Sequence, residues 1–307
     1  MSDRYNRRFW MKRSLLGALI FGLGLSVPLS AGAADSAWKS QFFAGFQFQG
    51  ETDLKKGGDF EFWMVELGLS SSRMLNDSWS LTLTGDYRAV GYNFNGVGAG
   101  DPWDDVHVVR LRPTLTYHFN ETWSLMSGLT GEFSGEGGAD FGDALRGGGL
   151  LGLGYRSSDR FSIVLGAVVQ SEIEDDVYVQ PLVLVNWGIT DALRLSMEGT
   201  NTRGGEVRLG YSFNDNWKLG VGAGYRRERF RLNDDSPVNR ADGVGEEEAT
   251  VVTARVTYTF DGGTAIELYG GTTVDGEFKL ETESGSTIRK ADYDDSGFGG
   301  ILIKFPL

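Results

Sequence analysis

The feature that most constrains this chain is an alternation of period two that returns along nearly its whole length. In Trp79 to Gly91, Trp79, Leu81, Leu83, Gly85, Tyr87 and Ala89 alternate with Ser80, Thr82, Thr84, Asp86 and Arg88. Leu111, Pro113, Leu115, Tyr117 and Phe119 face away from Arg110, Arg112, Thr114, Thr116 and His118, and Val252 to Phe260 behaves alike. Successive side chains of a strand point to opposite faces, so each segment is a half-apolar strand. No window of ten residues carries a 3.6-residue pattern. The alternation predicts fourteen strands: 41–49, 60–71, 79–92, 106–119, 123–133, 147–156, 160–172, 177–187, 192–200, 205–213, 216–230, 249–260, 264–272 and 297–305. With 45 glycines and 12% aromatic residues, the composition fits an all-β chain.

The connections alternate in kind. Short ones at 75–78, 120–122, 157–159, 189–191, 214–215 and 261–263 carry Asn, Asp, Ser, Thr or Gly, which suit tight turns. Longer, polar ones are predicted near 50–59, 93–105, 134–146, 173–176, 201–204, 231–248 and 273–296. Tight turns thus gather at one rim and loops at the other, as in an outer-membrane barrel with periplasmic turns and outer loops. A motif repeats around the turns: Asn76-Asp77-Ser78-Trp79-Ser80-Leu81, Asn120-Glu121-Thr122-Trp123-Ser124-Leu125 and Asn214-Asp215-Asn216-Trp217-Lys218-Leu219. Aromatic residues massed at one rim match a membrane interface.

The chain opens with a leader pattern. Arg4, Arg7, Arg8, Lys12 and Arg13 precede the apolar stretch Ser14 to Leu29, and Ala31-Gly32-Ala33 supplies a cleavage site. Residues 1–33 are read as a signal peptide, whether translation starts at Met1 or Met11, and 34–307 as the mature domain. Cleavage leaves 24 cations against 41 anions, or −17. Such acidity argues against a nucleic-acid binder. The absence of cysteine excludes disulfides and thiolate metal sites. No metal or cofactor is expected.

If lipid meets the apolar faces, the other faces line a lumen. The inward ionisable set is then Glu66, Asp86, Arg88, Arg110, Arg112, Glu132, Arg156, Arg194, Glu198, Arg208, Lys218, Arg226, Glu228, Arg255 and Glu267. These residues either line a charged passage, with a slight preference for anions, or pair across strands and hold the wall. Met126, Leu150, Val164, Val168, Leu182 and Leu184 form an apolar inward patch. It is a path for a hydrophobic solute, a surface covered by a loop, or the mark of a one-residue register slip. Gly220, Gly222 and Gly224 leave a gap in the lining, which calls for something bulky opposite. Acidic clusters at 172–176, 234–248 and 292–295 are read as solvated loops. His107 and His118 belong to no hydrolase motif, so the chain is not expected to be an enzyme.

The leader, the hairpin ladder and the last strand resemble bacterial outer-membrane β-barrel proteins. Phe298 to Phe305 is similar to the strand signal that barrel-assembly machinery reads, with Gly300, Ile303 and Phe305 as its marks, although Pro306-Leu307 follow. Leu165 to Ile189 and Tyr225 to Leu232 resemble an uncharacterised outer-membrane barrel family, a domain of unknown function. The resemblance implies an antiparallel up-and-down transmembrane β-barrel of about fourteen strands in a Gram-negative outer membrane. Its partners would be outer-membrane lipids, lipopolysaccharide and the assembly machinery. The strand number is that of long-chain fatty-acid transporters, but only about seven residues separate Ala33 from the first strand, so any plug must come from a loop. The expected function is a channel or transporter that passes or binds small hydrophobic or anionic solutes. The alternatives are a sealed scaffold or adhesin and a barrel lipid hydrolase.

Overall fold

A computed structural model describes residues 37–98, 100–199, 203–235 and 240–307; the predicted signal peptide 1–33 lies outside them. The described residues form fifteen strands: β1 (Lys39–Asp53), β2 (Asp59–Met74), β3 (Trp79–Asn95), β4 (Val106–His118), β5 (Trp123–Glu136), β6 (Leu145–Ser158), β7 (Phe161–Glu172), β8 (Asp175–Gly188), β9 (Leu193–Gly199), β10 (Arg203–Ser212), β11 (Trp217–Arg231), β12 (Val244–Thr259), β13 (Ala265–Glu281), β14 (Thr287–Tyr293) and β15 (Ser296–Pro306). From β1 to β13 each strand pairs antiparallel with its chain neighbours. β15 pairs with β13 on one side and with β1 on the other, from Gln41↔Pro306 to Gln49↔Phe298. The wall is therefore a closed barrel of fourteen strands, and closure satisfies the edges that lipid could not.

The fifteenth strand is not an extra wall member. β13 pairs first with β15, as far as Thr273↔Ser296, and then with β14, from Gly276↔Tyr293 outward. β14 is thus the outer continuation of the last wall strand, broken at Asp294 and Asp295. β13 carries an irregularity at this level, against β12. Their register shifts between Glu248 and Thr250, and Asp275 takes a left-handed conformation at φ 53°. A bulge bends its strand and sharpens the local twist. A Cβ at Gly276 would collide with the Tyr293 ring, so only glycine fits the bend.

Three stretches expected as loops, 50–59, 231–248 and 273–296, prove to be partly strand, the last of them largely so. β1 and β2 run to Asp53 and from Asp59, and β12 and β13 reach Val244 and Glu281. The alternation continues through them with charged residues in place of apolar ones, which hides the strand from a hydrophobicity pattern.

The tight-turn rim explains the repeated motif. Asn76 Oδ1 accepts from the amides of Ser78 and Trp79 at 2.9 and 3.0 Å. Asn120 does the same for Thr122 and Trp123, and Asn214 for Asn216 and Trp217. One carboxamide thereby replaces two missing turn bonds. The tryptophan that follows meets a tyrosine in direct cross-strand register: Trp79 with Tyr117, Trp123 with Tyr155 and Trp217 with Tyr258. Their ring centroids are 4.7 to 4.8 Å apart. Above this girdle the outer surface is a band of exposed aliphatics that includes Leu111, Leu129, Leu151, Leu165 and Val221. Leu129 keeps 67% of its surface, an exposure that lipid, not water, makes favourable.

Candidate functional site: the barrel interior

The interior divides into an outer seal, a charged middle and a cavity near the tight turns. The seal is built from wall strands as much as from loops. The outer ends of β11, β12 and β13 lean inward as a tongue, until Arg231 bridges to Gly135 of β5, across the barrel. One face of the tongue presents Phe230, Leu232, Phe278 and Leu280 to Phe60, Phe62, Phe94, Val106, Val108 and Trp103. Trp103, from the β3–β4 loop, sits edge-on to Phe230 at 5.1 Å and to Phe278 at 5.2 Å. Phe60 meets Phe278 at 4.6 Å and Tyr293 at 5.0 Å. Edge-to-face pairs of this kind add to the burial of their area. Among the described residues, the expectation that a plug would come from a loop therefore holds for Leu54, Val97, Trp103 and Leu232. The larger share is extended wall.

Glu136 anchors the rim of this seal. Its carboxylate accepts from the amides of Asp104 at 2.7 Å and Asn233 at 2.8 Å, so it joins the loops before β4 and after β11. Burial raises its pKa, opposed by those two donors.

Beneath the seal lies a network of ion pairs. Asp86 accepts from Arg112 at 2.8 Å and from Arg110 at 3.5 Å. Glu132 accepts from Arg110 at 2.6 Å and also from Arg146. Arg88 crosses the lumen to Glu228 at 2.5 Å. Arg226 reaches Glu247 at 2.6 Å, and Tyr92 and Tyr293 donate to the same carboxylate at 2.9 and 3.0 Å. Lower down, Arg255 bonds Glu267 at 2.9 Å and also Glu206, which Arg208 reaches at 2.8 Å. Buried charges persist only when paired and hydrogen-bonded. Glu66 is buried as well.

The lower lumen is looser. A cavity of about 460 Å³ is lined by Val164, Leu184, Asn186, Arg194, Ser196, Glu198, Arg208 and Lys218. Arg194 and Lys218 are exposed, and Glu198 and Arg156 half-buried; Arg194 touches Asn186 Oδ1 at 3.1 Å. The six apolar positions Met126, Leu150, Val164, Val168, Leu182 and Leu184 come together as one cluster, and Val164 and Leu184 belong to the cavity wall as well. The gap at Gly220, Gly222 and Gly224 is filled. A Cβ at Gly220 would meet Arg255 at 3.1 Å, and one at Gly222 would strike Glu206.

Several acidic residues expected in solvated loops are instead buried partners. Glu246 and Glu247 are strand residues, and with Glu172 they accept from arginines. The pairing partners are distant in sequence, so composition alone could not show them. Arg146 and Glu206 were also missed. Glu206 shares the parity of Arg208, and that parity could have revealed it; Arg146 was hidden in an expected loop.

The histidines lie apart from one another. His107 Nδ1 is 2.9 Å from the Tyr87 hydroxyl. His118 Nε2 is 3.3 Å from Ser80 Oγ, but its charged neighbour is Arg156, not a carboxylate that could orient a base. At the last strand, Gly300 packs so closely beneath the Tyr269 ring that a Cβ would not fit. Ile303 pairs with Ala44 and Ile266, and the Phe305 ring lies 6.2 Å from Phe42.

Closed wall, aromatic girdle and apolar belt define the class: an outer-membrane β-barrel. Among solved structures, a Pseudomonas aeruginosa FadL homologue superposes with a TM-score of 0.51 at 11% identity, over 94% of this chain and 99% of that one. An outer membrane channel from Pseudomonas putida gives 0.49 at 12% identity, over 90% and 96%. The first of these likenesses establishes a shared fold. The sequence matches no protein-family model and no curated relative.

Proposed function

We propose that this barrel is an outer-membrane channel or transporter that binds or passes a small solute, with its outer mouth shut in the state described. The observation that carries the reading is the lower cavity of about 460 Å³. It joins the apolar cluster through Val164 and Leu184, and it holds three cations, Arg194, Arg208 and Lys218, against Glu198 and Asp191. That lining suits hydrophobic or anionic solutes. The predicted leader would export the chain, and Gly300, Ile303 and Phe305 would present the last strand to the assembly machinery. Lipid and lipopolysaccharide would surround the wall.

A second reading, a sealed scaffold or adhesin, draws on the aromatic core across the mouth. Conductance in planar bilayers separates the two. Wild type is expected to give rare openings and Trp103→Ala frequent ones, since Trp103 plugs the centre of the seal. Silence from both proteins, each shown to be folded by its heat-dependent mobility on gels, would favour the scaffold. No lipid hydrolysis is expected, with or without His118→Ala.

A further inference from the structure

The two stretches singled out in the sequence, Leu165 to Ile189 and Tyr225 to Leu232, meet in space. The contact is not between neighbouring wall strands. β11 carries Arg227, Arg229 and Arg231 at every second position, on the face of the tongue opposite Phe230 and Leu232. Arg227 reaches Glu172 at 3.2 Å, and its guanidinium lies 5.5 Å from the centre of the Tyr178 ring. Arg229 Nε donates to the carbonyl of Ile173 at 2.9 Å. Arg231 pairs with Glu174. Arg229 and Arg231 thus grip the two-residue turn between β7 and β8, and Arg227 the strand ends beside it. Within the tongue, Arg229 also holds Glu246 at 3.1 Å and Glu281 at 2.5 Å.

This contact is unlike the rest of the wall. β9 and β10 stop short: β8 pairs with β9 only from Val185↔Met197 to Gly188↔Arg194, and β10 reaches β11 only up to Arg203↔Arg227. Beyond those points, among the described residues, side chains alone hold β11 against β7 and β8. The backbone of the turn is itself strained, with Glu174 at φ 50°. From the far side the β13–β14 loop closes on the same turn, where a Cβ at Gly285 would lie 2.9 Å from the Glu174 carbonyl oxygen.

We propose that the tongue is a gate over the outer mouth and that the β7–β8 turn is its latch, with Glu172 and Glu174 as the latch residues. The bulge of β13 at Asp275 and Gly276, opposite Ala249, is the hinge. The other face of the tongue is held by the aromatic core and by the Arg231–Gly135 bridge. On the latch side, three side-chain contacts stand in place of a backbone ladder, and each can be exchanged for water as the turn moves away. This proposal rests on the channel reading for its purpose but not for its test.

Val244 is fully buried on the arginine face of the tongue, opposite Arg231, and the chain has no native cysteine. Val244→Cys therefore reports opening through its labelling rate with a membrane-impermeant maleimide added to outer-membrane vesicles. Adding Glu172→Gln and Glu174→Gln is expected to speed labelling on the order of 10- to 100-fold, with heat-dependent gel mobility unchanged. An unchanged rate in the folded protein would overturn the latch. The Glu172→Gln/Glu174→Gln protein without the cysteine is also expected to open more often than wild type in planar bilayers. Frequent openings with an unchanged labelling rate would also overturn the latch. Faster labelling without any conductance keeps the latch and defeats the channel.

Discussion

The two ends of the lumen are built by one alternating pattern yet filled in opposite ways. At the outer end the inward positions hold Phe60, Phe94, Phe230 and Phe278, and the charges beneath them are paired. At the tight-turn end they hold Ser196, Ser212, Gly210 and exposed cations around open space. Barrel geometry does not dictate this difference. A fourteen-strand wall sets a lumen size, and the side chains decide whether that space closes. The outer end closes because its strands outrun the wall and fold back, which brings two layers of side chain into a space meant for one.

The largest effect should come from the middle of the seal. Phe278 contacts Phe60, Phe94, Trp103 and Tyr293 at 4.6 to 5.8 Å between ring centres. Phe278→Ala should cost about 3–5 kcal/mol by the usual penalty for truncating a buried aromatic ring. Urea unfolding in lipid vesicles would measure it. A loss under about 1 kcal/mol would mean that the seal is not a packed core. It would also remove the contrast between the two ends.

A smaller effect belongs to the turns. Asn120→Ala removes two hydrogen bonds, to the amides of Thr122 and Trp123, and should cost about 1 kcal/mol. The same change at Asn76 and Asn214 should cost as much, because the motif and its geometry repeat. Unequal losses among the three would show that their tryptophan neighbours, and not the carboxamides, hold that rim.

Much of this was legible in the residues. Period-two segments placed thirteen of the wall strands and the last one, since each carries a face made for lipid. The Asn-x-x-Trp repeat located the tight-turn rim, and the parity of Met126, Leu150, Val164, Val168, Leu182 and Leu184 picked out residues that form one cluster. The tongue was not legible. Arg229 and Arg231 share the outward parity of Tyr225, and no local pattern says that a strand end will curl inward and be covered on both faces. Glu172 and Glu246 read as solvated acids because their arginine partners are 55 and 19 residues away from them at Arg227. Long-range pairing leaves no trace in a single window of sequence.

The smallest expected effect on stability is also the one that best separates the two ends. Arg194 lines the cavity, is exposed and has Asn186 as its hydrogen-bond partner, so Arg194→Ala should change unfolding by no more than about 0.5 kcal/mol. Arg229 in the seal holds two carboxylates and a carbonyl. Arg229→Ala would strand those carboxylates and should cost several times more. The ranking should invert for ion selectivity. In an opened background such as Trp103→Ala, Arg194→Ala removes one cation from a lining that holds three, and the reversal potential in a salt gradient should move toward cation preference. Should Arg194→Ala leave selectivity untouched while Arg229→Ala shifts it, the passage would run past the tongue without crossing the cavity, and the lower half would be a vestibule with no part in selecting the solute.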